Sequence, residues 1–204
     1  MDTYPANLTI DYPGKASRLS VFFRFFLAIP IMVILGLLSY HGYNSEQIPE
    51  ESYWWVGILV VPTLLMIVFR RKYPRWWFDW NLELTKFSLR VSSYLLLLRH
   101  EYPSTDEEQS VHVDLQYPDV EKALNQWMPL IKWLLVFPHI IVLCFIMIGV
   151  MLCTILAWII ILFIGKYPKS MFDFVVGALR WGLRVSAYAI LLTTDKYPPF
   201  RLSE

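Results

Sequence analysis

Charged residues are scarce: Asp, Glu, Lys and Arg make up 17% of the 204 residues, against about 25% in soluble domains. With 56% hydrophobic residues and a mean hydropathy of +0.45, this deficit excludes a disordered tail and points to an integral membrane protein. A formal net charge of +1 lacks the basic footprint of a nucleic-acid binder. Cysteine occurs only at Cys144 and Cys153, both in the most apolar stretch. Two such thiols make neither a disulfide framework nor a metal site, and they behave as small hydrophobes. There is no P-loop, glycine-rich phosphate fingerprint, nucleophile elbow or zinc spacing, so no enzyme activity, cofactor or metal is expected. Residues 1–17 lack the basic start and early apolar core of a secretory signal, so the first apolar run is expected to stay as an anchor. Asp2 stands where myristoylation needs glycine, and no cysteine lies near either end.

What is present is a set of long apolar runs without Asp or Glu. Leu19 to Ser39 has 21 residues and Tyr53 to Phe69 has 17, lengths that cross a bilayer as a hairpin. Trp133 to Ile164 is 32 residues without an acidic or basic side chain other than His139. A straight helix of that length is about 48 Å long, while two full spans need about 40 residues. The length therefore favours a tight hairpin turning near Gly149, with one long tilted helix as the alternative. The loop at 40–52 carries Glu46, Glu50 and Glu51 and none of the 18 Lys and Arg. The bias of basic residues to the cytoplasm then places this loop outside, and both termini and the middle segment inside.

An internal repeat runs through the chain. Residues 72–98 align with 166–192 at a constant offset of 94, with 12 of 27 positions identical. The shared positions include Tyr73, Pro74, Asp79, Arg90 and Tyr94, matched by Tyr167, Pro168, Asp173, Arg184 and Tyr188. Upstream, LTIDYP resembles VDLQYP, and FRFFLAIP resembles IKWLLVFP, which pairs Arg24 with Lys132 at offset 108. The shift from 108 to 94 means that the second hairpin lacks 14 residues, those of the polar loop. Two halves follow: 1–103, with a hairpin at 19–69 and an amphipathic helix at 75–100, and 113–204, with a hairpin at 130–164 and an amphipathic helix at 169–194. An acidic linker at 104–112 joins them. The expected fold is an all-α polytopic membrane protein of two tandem units, each a transmembrane hairpin plus an interfacial helix, with a short alternating strand before each.

Asp79, Glu83, Lys86 and Arg90 fall on one stripe of a helix, as do Asp173, Arg180 and Arg184. A narrow charged stripe on an apolar helix suits the membrane interface, and it suits packing on the protein's own helices equally. The short strands LTI and VHVDL could pair with each other or with a neighbouring subunit. Seven Tyr-Pro pairs punctuate helix ends, where proline blocks helix continuation and tyrosine sits at headgroup depth. Arg24 and Lys132 are either snorkelling cations or, with Arg90 and Arg184, candidate contacts for an anionic lipid headgroup.

The pieces Lys-Tyr-Pro, Phe-Asp-Phe, Leu-Arg-Val-Ser-Ala-Tyr and Lys-Tyr-Pro-Pro-Phe, at 166–200, resemble the bacterial membrane protein family of unknown function numbered 4389, with a copy in each half. The resemblance implies a bacterial inner membrane and brings no activity or catalytic residue. In layout alone, short hairpins followed by an amphipathic helix are similar to reticulon-type membrane-shaping proteins. The expected function is a non-enzymatic, self-associating scaffold that binds lipid or shapes the bilayer. The alternatives are an accessory subunit of a larger membrane complex and a lipid or small-solute transporter. The expected partners are membrane lipids and further copies of the chain or a larger complex, with no nucleic acid.

Overall fold

The computed structural model describes residues 4–13, 18–39, 54–105, 107 and 109–203. In chain order the elements are β1 (Ala6–Ile10), α1 (Arg18–Ser39), α2 (Trp54–Arg70), α3 (Arg75–Leu95), β2 (Val111–Leu115), α4 (Met128–Ile164) and α5 (Lys169–Ala189). The acidic loop at 40–52, on which the expected orientation rests, lies outside the described residues.

Repeated sequence makes repeated helix boundaries. Pro74 and Pro168 cap α3 and α5 in extended conformation, with φ of −60° and −62°. Their carbonyls accept the amides of Phe78 and Phe172 at 3.1 and 3.0 Å. Proline suits this place because its ring presets φ and its missing N–H would have found no helical partner. One turn earlier the chain leaves α2 through Arg71 at φ 48° and α4 through Gly165 at φ 76°. These left-handed residues also sit 94 positions apart, and only the second is the glycine that such a cap favours.

The expected fold needs correction in two respects. First, 128–164 is one helix of 37 residues, not a hairpin. Gly149 is not a turn: a Cβ there would lie 3.3 Å from the ring of Phe174, so the glycine lets α5 approach α4. The stretch has no polar turn residues to satisfy a broken backbone at apolar depth, and a continuous helix keeps its N–H and C=O groups paired. Second, among the described residues α4 alone is long and apolar enough to cross a membrane; Ser20–Val33 and Val60–Arg70 are shorter apolar stretches. The chain is therefore not a polytopic all-α protein of two tandem hairpins. Among the described residues it has five helices and a small sheet.

That sheet joins the halves. β1 and β2 pair antiparallel, Leu8 opposite Val113 and Ile10 opposite Val111. They pair with each other, so they offer no argument for pairing with a second subunit. β1 buries Ala6, Leu8 and Ile10, and it packs on α5 of the second half, whereas β2 packs on α3 of the first. The tyrosines after the strands cross in the same sense. Tyr12 Oη donates to the carbonyl of Tyr167, and Tyr117 Oη donates to that of Tyr73. Tyr12 meets Phe172 edge-on at 5.1 Å, and Tyr117 meets Phe78 edge-on at 5.2 Å. Each half thus completes the packing of the other.

The C-terminal segment folds back as a strap over α5. Arg180 and Arg184 donate to the carbonyls of Leu202 and Ser203 at 3.3 and 3.0 Å. Gly177 makes room for Leu202: an added Cβ would lie 2.8 Å from the Leu202 Cβ and 3.0 Å from its carbonyl oxygen. Gly182, one turn on, has nothing within 4 Å of that position. Gly177→Ala is expected to destabilise by about 1–3 kcal/mol through overpacking, and Gly182→Ala to stabilise by about 0.5–1 kcal/mol through helix propensity. Unfolding midpoints in non-ionic detergent check both signs, and a stabilising Gly177→Ala would contradict the strap packing.

Candidate functional site

α1 and α4 each present one stripe to the protein, and the two stripes match position by position. Val21, Arg24, Ala28 and Ile31 are buried on α1, and Pro129, Lys132, Val136 and His139 on α4, all at offset 108. The cations are therefore on the inward face. Arg24 is 3% exposed and Lys132 is not exposed at all. The expectation that they snorkel is not met. A buried cation needs hydrogen-bond acceptors and a counter-charge; the ends of α3 and α5 supply acceptors to both, and the segment after α5 supplies a carboxylate to Lys132.

Lys132 donates to the Thr194 carbonyl at 2.7 Å and pairs with the Asp195 carboxylate at 2.7 Å. Its ammonium lies 5.0 Å from the ring centre of Tyr188. The amide of Asn125 also donates to Asp195, at 2.6 Å. Arg24 donates to the Tyr94 carbonyl at 3.0 Å, lies 4.5 Å from the Tyr94 ring centre, and contacts His100 Nδ1 at 2.7 Å. Tyr94 and Tyr188, which end the Leu-Arg-Val-Ser-x-Tyr motif, are thus cation-π platforms. Each is met edge-on at 5.9 Å by the tyrosine of the next Tyr-Pro, Tyr102 or Tyr197.

A guanidinium only donates, so His100 Nδ1 accepts and the ring is neutral with its proton on Nε2. Burial, and then the charges of Arg24 and Arg99, push the pKa of His100 down to about 4; Glu101 opposes this weakly. His139 has the same protonation pattern. Trp181 Nε1 donates to its Nδ1 at 3.1 Å, and Phe200 stacks on the ring at 3.9 Å. It is a core histidine within an aromatic cage.

Of the other candidate residues, Arg90, Arg184 and Tyr73 act as clamps on connecting segments. Arg90 is buried and donates to the Ser104 carbonyl at 2.9 Å. Arg184 is buried and donates to the carbonyls of Arg201 and Ser203. Tyr73 Oη donates to the Leu191 carbonyl at 2.9 Å; Tyr167 is buried beside Phe172, 5.9 Å away. Asp79 is exposed and pairs with Arg75 at 3.6 Å, and Asp173 is exposed. The four cations do not gather at one point: Arg24 and Lys132 hold separate partners at the ends of different helices. Sequence reasoning missed His100 and Asp195. Both lie just past the aligned block, and continuing the offset of 94 pairs His100 with Thr194 and Glu101 with Asp195. Among the described residues no cluster of three His, Cys, Asp or Glu could hold a metal, and Cys144 and Cys153 are free thiols.

Residues 127–201 match the family model of a domain of unknown function, DUF4389, as a single copy. No curated protein and no solved structure matches the chain. The matched segment holds α4, α5 and most of the strap. It excludes both strands and Arg24, so the strand that packs on its α5 comes from outside it.

Two outcomes follow from the buried charges. Asp195→Asn strands Lys132 and is expected to cost about 3 kcal/mol, most of it recovered in the double variant with Lys132→Met. Equal unfolding midpoints for Asp195→Asn and the parent would refute the pairing. His100 has its folded pKa below the unfolded value of about 6.5. Its stability contribution is therefore fully present above pH 6.5 and is lost as pH falls towards 4. His100→Gln should flatten the unfolding-midpoint profile between pH 6.5 and 4. Glu101, held low by Arg99 and Ser110 despite the burial that raises it, adds a loss at more acid pH. A slope unchanged in His100→Gln would exclude the neutral imidazole as its source.

Proposed function

We propose that this chain is a non-enzymatic integral membrane protein that α4 embeds in the bilayer, where it binds lipid and associates with its own copies as a scaffold. The carrying observation is the surface of α4. Its inward stripe continues from His139 through Leu143, Ile146, Val150, Ala157 and Ile161, and the remaining faces are apolar yet open. Only 11% of its most apolar window is buried. Leu134, Phe145 and Phe163 are each at least 70% exposed. Phe22, Phe26 and Leu27 of α1 and Val61, Leu65 and Phe69 of α2 extend this surface. A helix apolar all round belongs in a core or in lipid, and soluble proteins rarely expose contiguous apolar patches above a few hundred Å².

The short-hairpin wedge that motivated membrane shaping is gone with the second hairpin, so the reading keeps lipid contact and association and drops curvature. It supports a membrane location for the cell, and the bacterial inner membrane remains part of the proposal. The experiment is alkaline carbonate extraction of membranes carrying the chain, followed by intact-mass analysis of the detergent-solubilised particle. The expected result is retention in the membrane pellet and a homo-oligomer with bound lipid. Leu152→Arg on the open face should lower membrane partition by about 3 kcal/mol, roughly a hundredfold. Release of the parent protein into the carbonate supernatant would refute the membrane reading. A fixed-ratio second protein in the particle would replace the scaffold by an accessory subunit.

A further inference from the structure

The two repeat-related cations differ in their counter-charge. Lys132 meets Asp195. Arg24, equally withdrawn from solvent, meets a carbonyl, a tyrosine ring and a neutral imidazole. The adjacent acid, Glu101, is bound instead to Arg99 and Ser110. Two buried donors here bond to nothing among the described residues: Arg24 Nε and His100 Nε2. A buried cation without an anion and a buried N–H without an acceptor are each costly, and one anion beside Arg24 would answer both its charge and its Nε–H.

Arg24 also lines a cavity of about 340 Å³ with Val21, Phe22, Leu97, Ile155 and Trp158. The cavity lies between α1 and α4, where Arg18 donates to the Phe163 carbonyl and Trp158 Nε1 reaches the Val21 carbonyl at 3.4 Å. Its volume falls at the lower end of the roughly 300–1,000 Å³ of small-molecule sites, and apart from Arg24 and Thr154 its lining is apolar. We propose that Arg24 and this cavity form a binding site for an anionic amphiphile. The acid oxygens of its head take the unpaired donor of Arg24, and its apolar chain lies against Phe22, Ile155 and Trp158. The proposal deepens the membrane reading and rests on it, since the bilayer supplies such a ligand as a phospholipid or a fatty acid.

The test is equilibrium binding to the full chain in a neutral maltoside detergent. Dihexanoyl phosphatidylglycerol and dodecanoate are the probes, with dihexanoyl phosphatidylcholine and inorganic phosphate as comparisons. The expected result is binding of at least one anionic probe at least tenfold tighter than either comparison, and the tighter probe identifies the head as a phosphodiester or a carboxylate. Arg24→Met keeps the stem and removes the charge, and Thr154→Trp fills the cavity and keeps the charge; each should weaken binding at least tenfold. Binding unchanged in Thr154→Trp would overturn the proposal, including where Arg24→Met does not fold. Equal binding of phosphatidylcholine or of inorganic phosphate would overturn it as well. Flotation with phosphatidylcholine vesicles separates this from the membrane reading. A chain that floats and ignores both anionic probes keeps the reading and loses the site, whereas a chain that does not float loses both.

Discussion

An ammonium fully withdrawn from water is tolerated only where its hydrogens and its charge are both answered, and Lys132 places that demand on everything around it. α4 has to lie with its first third against the residues that follow α5, because the Thr194 carbonyl and the Asp195 carboxylate are there. α5 then has to stop soon after Tyr188, whose ring closes the other side. The hydrogen-bonding half of that demand, answered by Tyr94 and His100, ties α1 to the end of α3. Removing one partner of such an arrangement costs far more than the pair contributes. The Leu-Arg-Val-Ser-x-Tyr motif is therefore a device of two parts. Its tyrosine carries the cation of an earlier apolar helix, α1 or α4, and its arginine holds the connector that follows.

Much of this was legible in the sequence. Lys-Tyr-Pro sets the starts of α3 and α5 by geometry and not by context, and the offset of 94 makes their ends equivalent, but both helices stop at Leu95 and Ala189, short of the expected 100 and 194. Arg24 and Lys132 stood out as equivalents before their partners were known. The crossing of the strands was not legible: a repeat says which residues are alike and is silent on which of two identical partners each one chooses. LTI and VHVDL alternate in the same way and would suit either helix. The single α4 is only the alternative on length, because bilayer thickness favours a hairpin, and the absence of any turn residue around Gly149 is the stronger signal. A glycine in an apolar helix marks close approach as often as a bend, and Phe174 decides the matter here.

The apolar surface is distributed unevenly. α5 is buried between α4 and the sheet, whereas α4 uses one stripe and leaves the rest open. The sheet, the aromatic clusters and the arginine clamps form a body with the polarity of an ordinary folded domain, and α4 with α1 and α2 gives that body an oily flank. Because the contact stripe of α4 runs from Lys132 to Ile161, the flank is part of the body and not a stalk attached to it.

The exchange of strands also sets an order of events during synthesis. β1 is made well before the helix that covers Ala6, Leu8 and Ile10, which begins only at Lys169. At about 5–20 residues per second, roughly 160 intervening residues leave the apolar face of that strand uncovered for about 8–30 seconds, although β2 is available to pair with its edge sooner. Throughout that interval the nascent chain carries an uncovered apolar strand face beside the growing apolar helices. The first half cannot close by itself, and its packing is completed only when α5 arrives to cover β1.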